Sequence, residues 1–208
     1  MQLLKTHSWK HSMIKSLPIF PLGIVVLPGN IQSLQIFEPR YIQMVKDCMQ
    51  DNSGFVIVLQ KDSKENQLSI LEHGTYVEII DFNTLPNGLL GITVKGIHRT
   101  KIKTMEQNQL GLNIGTVENI QDPEVDDQAL LAQYPDLIQI LSQLKQHPQI
   151  KSMPLEINLD SADSVSYHLA GLIPLAAKDK QKILEAFDAG QRLNFLSKYF
   201  DQIAGSKS

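Results

Sequence analysis

A chain of 208 residues with 42% apolar and 20% charged side chains is long enough to bury a core, as one large domain or two small ones. A net charge of -3 and a pI near 6.1 give no reason to expect a polyanionic partner. One cysteine, Cys48, excludes an intramolecular disulfide and fits a reducing cytoplasm, and no apolar run approaches the roughly 20 residues that span a bilayer.

Residues 1–37 carry three lysines and no acid, and the stretch Ile19 to Leu27 is apolar. A signal peptide has that outline, but Pro18 and Pro21 interrupt its apolar region and no small-residue cleavage site follows. Met13, just before IKSLPIFPL, competes with Met1 as initiator, and residues 1–14 are expected to form a poorly ordered leader.

From Leu17 to about Ile120 the pattern is short strands with turn punctuation. Ser33 to Phe37 alternates, which sets Leu34 and Ile36 on one face and Phe37 on the other. Pro39 suits the first turn of a helix, and Glu38 stands where a carboxylate favours the helix N-terminus. Ile42, Val45 and Met49, with Cys48 beside them, form the predicted inward stripe. Asn52-Ser53-Gly54 stops that helix, and Phe55 to Leu59 reads as a buried strand. A strand over about Thr75 to Phe82 meets a hairpin signal at Leu85-Pro86-Asn87-Gly88. Its partner runs from Leu90 to Lys95, Gly96 bends the chain into Arg99–Met105, and a last strand covers Leu110 to Ile120 with Gly115 as a candidate break. Such strands, with one helix inserted early, predict a partly closed β-barrel.

After Asp122-Pro123 helix signals take over. Pro135 opens a helix with Leu137, Ile138, Leu141 and Leu144 on its stripe, closing before Pro148. Ser161 or Asp163 caps a helix through Val165, Leu169 and Leu172 that ends at Pro174. Two more run from Lys178 to Phe187 and from Gln191 to Ile203, with Asp188 as the N-cap between them. The fold class is therefore α+β: a leader over 1–14, a β-domain over 15–121 and a helical bundle over 122–208.

The sequence carries no phosphate-cradling G-x-x-x-x-G-K-[ST] run, no G-x-S-x-G elbow and no H-E-x-x-H helix. His7 and His11 have chelating spacing on a helix but no third ligand nearby, and His73, His98, His147 and His168 are dispersed. Neither a metal nor a cofactor is expected. Cys48, on an apolar helix face, reads as core filler rather than a nucleophile. Arg99, Lys101 and Lys103 alternate along one strand: either a solvated face or, as the alternative, an RNA-binding strip, though aromatics for base stacking are missing. Ile36-Phe37-Glu38-Pro39-Arg40-Tyr41 is either a packing corner or a surface in which Phe37, Arg40 and Tyr41 engage apolar polypeptide. The proline- and glycine-punctuated run from Leu22 to Gly29 adds Leu22, Ile24 and Leu27 as a greasy surface of the kind a soluble protein exposes for a partner.

The segments FPLGIVVLPG, IFEPRY, HGTYVEII and KQKILEAFDAGQRL, in that order within residues 15–203, resemble the N-terminal substrate-binding domain of the Lon protease family, especially its stand-alone bacterial form. That resemblance implies a PUA-like barrel packed on a helical bundle, and recognition of unfolded or damaged polypeptide in cytoplasmic protein quality control. Lon's serine–lysine peptidase centre lies in a separate C-terminal domain for which this chain has no room, and the long helix into its ATPase is absent, so no enzymatic activity is expected. A freestanding copy is expected to act as an adaptor to a separate protease or chaperone, as a decoy, or as a binder of something else. RNA remains the alternative through the PUA-like shape. No motif specifies an assembly state.

Overall fold

The computed structural model describes residues 15–61 and 69–205. The predicted leader and the His7–His11 pair lie outside the described residues. Six strands appear in chain order: β1 (Lys15–Leu22), β2 (Ile31–Ile36), β3 (Phe55–Gln60), β4 (Ile70–Thr84), β5 (Leu90–Gln107) and β6 (Asn113–Asn119). Helix α1 (Pro39–Gln50) is inserted after β2. Six helices follow the strands: α2 (Asp127–Leu131), α3 (Pro135–Gln146), α4 (Pro148–Lys151), α5 (Ala162–Leu172), α6 (Ala177–Glu185) and α7 (Ala189–Gly205). The chain is α+β, with the helices that follow the sheet gathered at its C-terminal end.

The sheet runs β2-β5-β4-β3-β1-β6, and β6 also pairs with β5. β5, β4, β3, β1 and β6 thus close into a ring, and β2 hangs from the first half of β5. Among the described strands only β1 and β3 run parallel. β3 explains its apolar run FVIVLQ by being buried on both faces. Phe55 and Ile57 join the core shared with α1, while Val56 and Val58 join a second cluster with Ile19, Tyr76 and Ile102. A third core, built on Leu141, Val165, Leu169, Ile183, Leu193 and Leu196, belongs to the helices.

Two local expectations change. β5 is one continuous strand rather than two broken at Gly96, because a register shift opposite Tyr76 and Val77 absorbs the bend. Gly96 instead permits close approach: a Cβ there would sit 2.4 Å from the Leu27 carbonyl oxygen, and its backbone bonds Gly29 and Asn30 at 2.8 and 2.9 Å. The buried stripe of α1 is Tyr41, Met44, Val45 and Cys48, while Met49 is 43% exposed. That set follows i, i+3, i+4, i+7 spacing, so the helix is turned to bring Tyr41 under Phe20.

The barrel is tied to the helices by buried polar contacts. Asp122 accepts from Arg99 through Oδ1 and from Arg192 through Oδ2, and Arg192 also bonds Asp163 and Ser166. The Arg192 side chain is fully buried. Asn30 Nδ2 donates to the Tyr167 carbonyl at 2.9 Å, and Gly171 faces Asn30 so closely that a Cβ would fall 1.8 Å from its Oδ1. Among the described residues no helix is long and apolar enough to cross a membrane.

Candidate functional site

The corner between β2 and α1 is built by its own sequence. Pro39 occupies the first turn of α1, and the Glu38 carbonyl accepts from the Tyr41 and Ile42 amides at 3.0 Å each. The Glu38 carboxylate makes no cap bond to the helix. It holds Arg40 instead, with Nε at 2.9 Å and the second contact at 2.7 Å. Arg40 then donates to the Gly111 carbonyl at 2.9 Å across the molecule and lies 4.8 Å over the Tyr41 ring. Gly111, at φ +73, closes a turn in which Asn108 Oδ1 accepts from the Leu110 and Leu112 amides. One arginine therefore clamps the β5–β6 turn to the start of α1.

Beside this clamp lies a groove of about 290 Å³. Its walls come from the ends of β1 (Phe20, Pro21, Leu22) and β2 (Gln35, Ile36), the corner Phe37, Glu38, Arg40 and Tyr41, and Gln60, Gln107 and Asn113. Phe20 packs against Tyr41, their tilted rings 4.1 Å apart, and forms the greasy floor. Burial pushes the Tyr41 phenol up, with the Arg40 guanidinium pulling the other way, so the ring stays neutral. Phe37 stands out of this frame at 64% exposure, and Leu110, next to the clamped Gly111, at 62%. The groove offers apolar contact, a rim formed by the Arg40–Glu38 ion pair, and glutamine and asparagine amides. It can bind, and it holds no nucleophile–base pair.

The candidates named from sequence separate into two groups. Leu22, Phe37, Arg40 and Tyr41 meet at the groove. Ile24, 37% exposed, lies on the loop that leaves β1. Leu27 does not belong to a surface: at 1% exposure it packs in the helical core, because its loop folds under Gly96 against α5. Tyr41 is likewise 94% buried and contributes a floor rather than an exposed contact.

The alternative strip also separates. Arg99 is not on a solvated strand face, because the end of α6 and the chain after it cover that part of β5. There Arg99 donates to the Leu184 carbonyl at 2.8 Å and pairs with Asp122. Lys101 and Lys103 do reach solvent, paired with Glu72 and Glu118. The three residues thus form no continuous basic surface. Cys48 is buried, its thiol pushed up by burial and donating to the Gly54 carbonyl at 3.6 Å. No three His, Cys, Asp or Glu side chains among the described residues gather as metal ligands.

Sequence reasoning missed the far wall of the groove. The sequence reading ends one strand at Met105 and begins the next at Leu110, whereas β5 runs on to Gln107, the Asn108–Gly111 turn follows and β6 begins at Asn113; Asn108 three residues before Gly111 is itself a turn signal.

A family model described as the ATP-dependent protease La (LON) substrate-binding domain matches residues 16–202. Curated relatives include the Lon protease of Syntrophomonas wolfei, 25% identical over 197 residues, and Lon protease 1 of Bacillus subtilis, 27% identical over 190 residues. These alignments cover 90% and 86% of this chain but 24% of each protease, so the chain spans about a quarter of their length. Among solved structures, the Lon N-terminal domain protein from Xanthomonas campestris is 31% identical, with a TM-score of 0.73, covering 89% of this chain and 99% of that one. The N-terminal domain of the Mycobacterium avium complex Lon protease shares the fold, with a TM-score of 0.70 at 18% identity over 89% of this chain and 97% of that one.

Proposed function

This chain belongs to the Lon substrate-binding domain family, and we propose that it recognises polypeptide by holding exposed apolar segments of unfolded proteins at the groove beside the β2–α1 corner. The observation that carries the proposal is Phe37, a large apolar side chain 64% exposed on a corner that Arg40 and Glu38 hold rigid. Exposed apolar surface on a rigid frame loses little entropy on binding, and burying a phenylalanine contributes about 1.5–3 kcal/mol. Ordering an unfolded client offsets part of that gain, so the affinity is modest and promiscuous. Leu22, Ile24 and Arg40 extend the contact, and Tyr41 supports it from beneath. The same surface suits an adaptor that presents clients to a separate protease or chaperone in the cytoplasm, and the barrel is PUA-like in this reading.

The test is capture of reduced, carboxymethylated α-lactalbumin, which stays unfolded, by the purified chain at low and high salt. Binding is expected to resist salt and to weaken about tenfold or more in Phe37→Ser, whose melting temperature should be unchanged. Equal capture by Phe37→Ser, or no capture by the native chain, would refute the proposal.

A further inference from the structure

Strand β2 pairs with β5 along its whole length, from Ile31↔Lys95 to Ile36↔Leu90 without a register shift. Among the described residues β5 is also the one element packed closely along it. Residues of an antiparallel strand alternate between turning both backbone groups toward the partner and turning both away. The Ser33 carbonyl is reached at 2.9 Å by Gln32 Nε2 in an exposed bond, which places Ser33 among the outward-facing residues. Ile31 and Gln35 share that outer edge by alternation, while Gln32, Leu34 and Ile36 face β5. Sheet edges are ordinarily blunted by lysine, proline, a bulge or an inward charge. IQSLQI has none of these.

We infer that β2 is a strand-addition site, whose outer edge takes an extended, uncharged polypeptide segment by backbone hydrogen bonding at Ser33 and Gln35. The inference rests on the polypeptide reading above and adds the mode of binding to it. A row of N–H and C=O groups recurring every second residue, about 6.7 Å apart, is matched by another extended backbone. The absence of any charged side chain on β2 selects a neutral segment. The strand is continuous with the groove, since Gln35 and Ile36 line it and Phe37 follows directly. A segment added along β2 would therefore set its side chains against the same apolar wall.

The experiment uses a blocked hexapeptide of alternating valine and threonine with a serine at each end. Its control is the same peptide N-methylated at two adjacent central residues, which removes a donor from each of its edges. Amide exchange is followed on the full chain. The expected result is that the Ser33 and Gln35 amides exchange readily in the free protein and slow at least tenfold when the unmethylated peptide is bound. The Gln32, Leu34 and Ile36 amides should be protected throughout. Methylation should weaken binding about tenfold, since whichever edge faces β2 loses one hydrogen bond, sets a methyl where the donor stood and leaves an acceptor unpaired. In Ser33→Pro, where the missing N–H faces away from β5, the fold should persist and peptide binding should fall likewise. Equal binding of both peptides, with Phe37→Ser still defective, overturns strand addition and leaves the groove reading standing. Failure of any peptide or unfolded client to bind overturns both. Protection of Ser33 and Gln35 that grows with protein concentration alone overturns the peptide as occupant, in favour of a second copy of this chain.

Discussion

Removing Asp122 tests what holds the barrel to the helices. Its carboxylate bridges Arg99 on β5 and Arg192 on α7, side chains exposed by only 5% and 0%. In Asp122→Ala, Arg192 keeps Asp163 and Ser166, and Arg99 keeps the Leu184 and Ala186 carbonyls, but two buried guanidinium groups then share one carboxylate. Breaking one side of a buried ion pair costs about 3–5 kcal/mol, because the remaining charge stays desolvated and uncompensated. Against a typical total of about 5–15 kcal/mol this is a large share, equivalent to a fall in melting temperature on the order of 10 °C for a chain of this size. Urea unfolding followed by circular dichroism reads the loss as a lower midpoint at unchanged slope. Lys103→Ala is the internal control: its pair with Glu118 is 43% and 34% exposed, and exposed pairs contribute about 0–1 kcal/mol. A loss below about 1 kcal/mol in Asp122→Ala would show that the junction depends on apolar packing alone, and the reasoning fails.

Gly171→Ala places a methyl 1.8 Å from Oδ1 of Asn30, whose amide is held by the Tyr167 carbonyl, and is expected to lower stability by about 1–3 kcal/mol in thermal melts; an unchanged melt would show that the Asn30 side chain yields freely. Arg40→Ala removes the clamp on the Gly111 carbonyl, so amides 108–112 should exchange faster while the β3 amides keep their protection. Equal protection of the turn in both proteins would refute the clamp. Stability should also fall as pH drops from about 6.5 toward 4. Burial holds His98, stacked 4.9 Å from Tyr76, neutral down to about 4, and also lowers His73 and His168. In that window the unfolded chain binds protons that the folded chain refuses, so the stability present above about 6.5 is lost progressively, by at most about 1.4 kcal/mol per pH unit for each imidazole. A flat denaturation midpoint between pH 7 and 5 would contradict this. 

The local elements were legible in the chain because each is written in neighbouring residues. Pro39 and Pro135 open the helices predicted for them, and Ser161 caps α5 through the Ser164 amide at 3.3 Å. Gly88 at φ +80 closes the hairpin, and Asp188 accepts from the Gln191 amide at 2.8 Å ahead of α7. Alternation also separated Phe37 from Ile36, the one 64% and the other 2% exposed. What stands far apart in sequence was not legible. Leu27 and Arg99 look like surface residues from their neighbours, and both are buried by elements more than eighty residues away: α5 and its core around Leu27, and the end of α6 over Arg99. The same holds for the groove, whose walls bring Leu22, Phe37, Gln60 and Gln107 together only when β6 closes the ring between β1 and β5. Periodicity and capping report on the few residues within a hydrogen bond's reach along the chain, so they determine strands, helices and turns. Which face of an element becomes interior depends on the partner that covers it, and that was decided by closure of the barrel and docking of the helices upon it.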